Sequence, residues 1–264
     1  MAESTLSLTR AQLRSEVGDY LGYGTDSANW TAGQDADIVR AVNSGLRRFY
    51  FPLVNGQTYE WSFMKINATI TTVASDYDQD LTEAFAGIEG YLTYATTDNA
   101  SGPVEIIPEV DIRAMREASD GATGRPRYAA IRAKSHAGTS TGQLWEIIFY
   151  PTPDAVYTLT YRGTVNPDAV SASIIYPYGG LRHAETIKEC CLWAAEEMFD
   201  DEQDGVHKRA AQERLMASMD GERNALAPEQ YGYNGDNSDN IRRQRTGFPH
   251  TYANNITRNG VSYY

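Results

Sequence analysis

The sequence predicts an α+β fold: a helical body built from N- and C-terminal helices, a central antiparallel β region and an extended C-terminal tail. Three observations lead there. Near both ends of the chain apolar residues recur at spacings of three and four. Between about Tyr59 and Thr164 they alternate, or cluster in short β-branched and aromatic runs divided by Gly- and Asp-rich turns. Beyond Pro228 no apolar period remains. The boundaries that follow are 1–55 and 176–226 for the two parts of the helical body, 56–175 for the β-rich region and 227–264 for the tail.

The first helix is announced by Thr9 and Gln12, spaced so that each side chain can satisfy a free backbone N–H at the helix start. Leu13, Val17 and Leu21 follow on one face, and Gly22 and Gly24 end the run. Thr31 and Gln34 repeat the capping pattern, with Asp35 and Asp37 placed where the positive end of the helix dipole favours carboxylates. Ile38, Val42, Gly45, Leu46 and Phe49 form the inner stripe of this second helix, and Pro52 stops it.

The β region opens with Tyr59, Trp61 and Phe63 alternating with polar residues, and continues over Ile66–Val73, Tyr91–Ala95, Tyr128–Ala133, Leu144–Phe149 and Val156–Arg162. A helix near Val110–Ala118 interrupts it. Pro151 and Pro153 read as the wide turn of a hairpin joining the last two strands. In the final helical part, Ala184, Ile187, Cys191, Ala194, Ala195 and Met198 make one apolar stripe. An acidic run from Asp200 to Asp204, then Gly205, breaks it, and Ala211, Leu215 and Met219 resume it. Two antiparallel helices or one kinked helix would both fit. No internal repeat is present.

Composition narrows the function classes. With 264 residues, 41% hydrophobic and 22% charged, the chain can bury a sizeable core and belongs among ordinary globular proteins. No apolar run approaches the roughly 20 residues that span a bilayer, and Met-Ala-Glu-Ser-Thr lacks the regions of a signal peptide. The protein is expected to stay in a cytosol, with adjacent Cys190 and Cys191 reduced and buried, and with Asn29, Asn67 and Asn255 unglycosylated. A net charge of −12 opposes tight binding of nucleic acid, which needs clustered Lys and Arg.

No catalytic, cofactor-binding or metal-binding set emerges. Gly138-Thr139-Ser140-Thr141-Gly142 matches a nucleophile elbow, but that elbow requires a following helix and the sequence continues into a strand, so a hairpin turn is the better reading. Asp76, Asp78 and Asp80 resemble the start of a calcium loop, yet Leu81 and Gly87 stand where Gly and Glu are required; a solvated acidic turn is expected. His136, His183, His207 and His250 are far apart, with His183 within reach of the Glu185–Glu189 region. Glu196 and Glu197 are neighbours and so point to different helix faces.

Several strings have a family flavour: Asp80-Leu81-Thr82-Glu83-Ala84-Phe85, Gly124-Arg125-Pro126-Arg127-Tyr128-Ala129-Ala130-Ile131, Trp145-Glu146-Ile147-Ile148-Phe149-Tyr150-Pro151, and Tyr157-Thr158-Leu159-Thr160-Tyr161 before the helix near Leu181. With the order of elements over residues 9–225, they resemble the head-to-tail adaptor (neck, or tail-tubular-A-like) proteins of tailed bacteriophages. The chain departs from the resemblance at Leu81-Thr82, where Leu-Pro would be expected. The resemblance implies a non-enzymatic virion protein that forms a homo-oligomeric ring of twelve copies. The ring would join the portal protein to a downstream tail or nozzle protein, with DNA passing through its lumen without specific binding. Assembly would take place in the host cytoplasm, with no membrane and no cofactor. Rival readings are another virion component (a tail-completion or minor capsid protein), a hydrolase resting on Ser140, and a β-type binding module.

The tail carries the expected partner contacts. Four arginines (Arg242, Arg243, Arg245, Arg258) face three carboxylates (Glu229, Asp236, Asp239), so the tail is +1 and the remainder −13. Tyr231, Tyr233, Phe248, Tyr252, Tyr263 and Tyr264 supply rigid aromatic anchors for docking on the portal or on a neighbouring subunit. Alone, such a segment buries too little apolar surface to offset its ordering entropy.

Overall fold

Both predicted capping boxes form. In the computed structural model, which describes residues 3–54, 57–82, 84–98, 102–119, 121–134, 142–200, 202, 204–226, 256–258 and 261–263, the Gln12 N–H donates to Thr9 Oγ1 (3.2 Å) while Thr9 N–H donates to Gln12 Oε1 (2.8 Å). Helix α1 (Arg10–Tyr20) starts there. Thr31 and Gln34 do the same for α2 (Ala32–Tyr50), through bonds of 3.3 and 2.8 Å. An Arg14–Asp35 ion pair ties the two helices together.

The remaining elements follow in chain order. Short β1 (Leu53–Val54) and β2 (Gln57–Thr58) precede β3 (Lys65–Thr71), β4 (Asp78–Asp80), β5 (Phe85–Tyr94) and β6 (Glu105–Ile106). Then come α3 (Glu109–Ala118), β7 (Thr123–Gly124), β8 (Tyr128–Ala133), β9 (Trp145–Tyr150), β10 (Thr152–Pro153) and β11 (Thr158–Val165). The chain returns to helix in α4 (Ala184–Phe199) and α5 (Val206–Leu226) and ends on strands β12 (Ile256–Arg258) and β13 (Val261–Tyr263). The class is α+β, as the periodicities predict.

The helices share one core. α4 packs along α2 and against α1, burying Leu13, Ile38, Phe49, Ile187 and Cys191 together. Gly45 sets the α2–α4 approach: a Cβ there would lie 2.6 Å from the Cys191 backbone nitrogen, so only glycine permits this spacing. α4 and α5 are two antiparallel helices. Thr186, at the start of α4, meets Ser218 near the end of α5 through a 2.7 Å hydroxyl contact, and Glu196, near the end of α4, caps the start of α5. Most of the predicted α4 stripe is buried, but Met198 is exposed.

The strands make two sheets around a second core. β11 is central in an antiparallel sheet of order β3-β11-β5, and its burial alternates strictly from Leu159 to Val165. A four-stranded sheet, β4-β9-β8-β6, includes one parallel pair, β6 with β8. Ile147 and Phe149 from one sheet and Leu159 and Tyr161 from the other bury into the same cluster. Ile148 points the opposite way, to Ile112 of α3. β9 is therefore buried on both faces, which explains the apolar run from Ile147 to Tyr150.

Two strand expectations fail. Tyr59-Trp61-Phe63 is not a strand: Trp61 precedes a 3-10 turn at Ser62–Met64, and its indole stacks on Phe63 and Phe49 inside the helical core. β9 and β11 are not a hairpin. They belong to different sheets, and between them β10 leaves to pair in parallel with β7. Strands on facing sheets bury alternate residues just as paired strands do, so periodicity alone did not separate the two arrangements.

Residues Met1–Glu222 form one compact unit and Arg223–Tyr264 a second. Within the second, β12 and β13 pair antiparallel, Ile256 with Tyr263 and Arg258 with Val261. The sequence reading assigned no strand to the tail. The two positions between these strands are Asn259 and Gly260, the dipeptide that most strongly favours a two-residue hairpin connection, and that signal was available.

Candidate functional site

The cysteines and the paired glutamates singled out in the sequence have structural surroundings. The Cys190 and Cys191 thiols are free and fully buried. Burial pushes Cys190 up to about 12 and Cys191 higher still, so both remain thiols. The buried Glu196 carboxylate accepts the N–H groups of His207 (3.5 Å) and Lys208 (3.2 Å) at the start of α5. Gly205 leaves room for it, since an added Cβ would collide with that carboxylate. Glu197 turns to the other side and pairs with Arg48 at 2.6 Å, so the two glutamates diverge as predicted.

The acidic segment is not a solvated turn throughout. Asp78 and Asp80 lie in β4, paired with Ile148 and Glu146 of β9, and Asp80 binds Lys134 at 2.6 Å. Burial, then the neighbouring Asp76, raises the Asp78 carboxyl above its ordinary range. Among the described residues no group of three His, Cys, Asp or Glu side chains is placed to hold a metal. Positions 138–141 of the serine motif, and also His136 and His250, lie outside the described residues; Gly142 is followed by strand β9, not by a helix.

His183 does not reach the Glu185–Glu189 region. Its ring lies against Phe49, Trp61 and Phe63, with centroids 5.8, 5.1 and 5.4 Å away. Glu189 instead meets His207 Nδ1 at 3.0 Å. Burial lowers the His183 pKa, opposed by Glu222 and reinforced by Arg182. A folded-state pKa below the unfolded value of 6.5 means that the unfolded chain binds the proton first. The stability contributed by neutral His183 is thus complete above about pH 6.5 and falls as pH drops below it. Thermal unfolding between pH 7.5 and 5 should show this slope, and His183→Leu should flatten it; an unchanged slope would mean that His183 does not titrate between the two states.

Two clefts stand out on the surface of the described residues. On the helical body a groove of about 330 Å³ is lined by Arg48, Phe51, Leu53, Trp193 and Met216, with the Arg48 guanidinium 4.2 Å over the Trp193 ring. On the β side, Arg125 lies over Tyr94 and Tyr157 at 5.3 and 4.9 Å, bordering a cleft of about 760 Å³ that Tyr128 and Tyr150 also line.

Of the tail residues expected to dock on partners, Arg258 lies in β12 and Tyr263 in β13. Tyr231, Tyr233, Arg242, Arg243, Arg245, Phe248, Tyr252 and Tyr264 lie outside the described residues. Sequence reasoning did not find the groove on the helical body, because its apolar residues Phe51 and Leu53, Trp193 and Met216 come from three separate segments. Met216 was the one hint, since it falls off the Ala211–Leu215–Met219 stripe.

The described residues thus form an α+β body with exposed clefts on its helical and β parts. A model of the SU10 adaptor protein family matches residues 8–244, and the chain belongs to that family. It is accordingly a phage adaptor, a structural protein. No curated protein matches the chain. No helix among the described residues is long and apolar enough to cross a membrane.

Proposed function

We propose that this chain is a ring-forming, non-enzymatic head-to-tail adaptor that binds the portal protein on one side and a tail or nozzle protein on the other. The family match over residues 8–244 carries this reading. Twelve copies would enclose a lumen through which DNA passes, assembled in the host cytoplasm and retained in the neck of the virion. The helical body (1–55 and 176–226) and the β region (56–175) act as separate faces, and the tail (227–264) docks on the portal or on the next copy. The net charge of −12 supports a lumen that does not hold DNA, and the +1 tail suits a contact with an acidic neighbour.

Electron microscopy of the purified protein tests the ring directly: a closed ring with a central hole is expected, and a compact monomer under all conditions would exclude it. Duplex-DNA affinity at about 0.15 M salt should fall well short of the roughly 10⁻⁸ M that specific binders reach. Deleting residues 229–264 should leave the unfolding temperature of the body nearly unchanged while abolishing stable attachment to the portal. Normal incorporation of the truncated chain into infectious particles would remove the tail from the proposal.

A further inference from the structure

An edge strand leaves a row of backbone N–H and C=O groups unpaired, a template for a strand from elsewhere. Most edges of this protein are blunted. β6 has two residues, and β4 has three, of which two are aspartates. β5 is interrupted by register shifts against β11, by Gly90 at φ +77° and by a bridge from Leu92 to Val104. β3 is different. Its residues Lys65–Thr71 pair with β11 in unbroken register, and among the described residues no strand pairs its other side. It holds no proline. Its single charge, Lys65, stands at the first position in ion pairs with Glu60 and Glu89. Ile66, Asn67, Thr69 and Thr71 are exposed.

The tail supplies a hairpin in need of a sheet. β12 and β13 pair only with each other, as a two-stranded sheet in the second compact unit. An isolated hairpin is marginal in water, and a third strand is what makes such a unit stable. Ile256, Thr257, Val261 and Tyr263 are residue types that favour strands. Within one chain the β3-β11-β5 sheet contains neither tail strand, which leaves its edge open to a strand from another copy. Positions 227–255, between α5 and β12, can span up to roughly 100 Å when extended, enough to cross to a neighbour.

A second β3 fits this edge less well. Two β3 edges meeting would form a self-complementary pair that closes at a dimer. It would also bring two acidic regions together, since the chain outside the +1 tail carries −13. The tail has the opposite sign, and positions 256–263 carry Arg258 and no carboxylate. A contact of tail with edge joins two different surfaces, so it propagates around a ring.

We infer that the hairpin β12–β13 of one copy adds to the free edge of β3 in the next. This rests on the ring reading and gives the tail its docking surface. Main-chain hydrogen bonds supply the affinity of such a strand addition.

Cross-linking of the full chain tests this. Copies carrying only Thr69→Cys are co-expressed with copies carrying only Thr257→Cys and treated with a short bis-maleimide; Cys190 and Cys191 are buried and do not compete. A band joining the two variants is expected, while either variant alone should give no dimer. Hydrogen exchange gives a second reading. The β3 amides should exchange more slowly in the oligomer than in the dilute monomer. Thr257→Pro with Ser262→Pro removes an N–H donor from each hairpin strand and should abolish that protection, with the unfolding temperature of the body nearly unchanged. Dimers from either cysteine variant alone would mean edge on edge or tail on tail, and would overturn the inference. An oligomer that gives no mixed band, or whose β3 protection survives the proline substitutions, would also overturn it and leave the ring standing with its tail docked elsewhere. A wild-type chain that stays monomeric at every concentration would remove the ring reading itself, and this contact with it.

Discussion

Ile187→Asp is expected to destabilise the chain by about 4 kcal/mol or more, the range reached when a charge is buried without a partner. Ile187 is fully buried in the first turn of α4, within the cluster that joins α1, α2 and α4. The arginines of this part of the molecule, Arg48 and Arg14, are already paired with Glu197 and Asp35. α4 is held tightly on α2 there, where a Cβ on Gly45 would collide with Cys191 Cα. Since domains are stable by only about 5–15 kcal/mol, such a loss removes a large part of the total. Ala194→Asp, also fully buried on α4, should behave similarly. Denaturant titration reads the effect, and a midpoint near that of the wild type for both variants would place the wrong face of α4 in the core.

Trp61→Ala is expected to cost about 3–5 kcal/mol, the loss typical of a large buried aromatic residue. The indole is fully buried and lies 4.9 to 5.3 Å, centroid to centroid, from the rings of Tyr59, Phe49, His183 and Phe63. Its Nε1–H donates to the Phe49 carbonyl at 2.8 Å, at the last turn of α2. Removing it opens a cavity and leaves a carbonyl unsatisfied at once. Trp61→Phe should recover most of the packing but not the hydrogen bond, and so should fall between the two. Equal stability of the Phe and Ala variants would show that the stack contributes little beyond the bond.

The tail residues proposed to dock on partners were legible only as composition. Arg258 and Tyr263 are placed on paired strands, and the Asn259-Gly260 signal for that pairing is purely local, so it could have been read. The surface groove could not. Phe51, Trp193 and Met216 are separated by more than a hundred positions in part, and nothing in any one segment shows that they line the same cleft. Glu196 gives the same lesson. Nothing local marks it as a buried group, yet it is buried and caps α5, in a space that Gly205 leaves open.

The sequence by itself determined what depends on residues three or four apart. The capping boxes at Thr9–Gln12 and Thr31–Gln34, the inner stripe of α2, the alternation of β11 and the buried, protonated state of the cysteine pair all follow from local spacing and side-chain chemistry. The tertiary structure alone decided which of several equivalent apolar surfaces meet. Trp61 joined the helical core instead of a sheet, and β9 and β11 buried against each other from different sheets instead of pairing. Burial is non-directional, so a run of apolar residues states that it will be covered without stating by what. Backbone hydrogen bonding and close approaches such as Gly45 on Cys191 then select one arrangement.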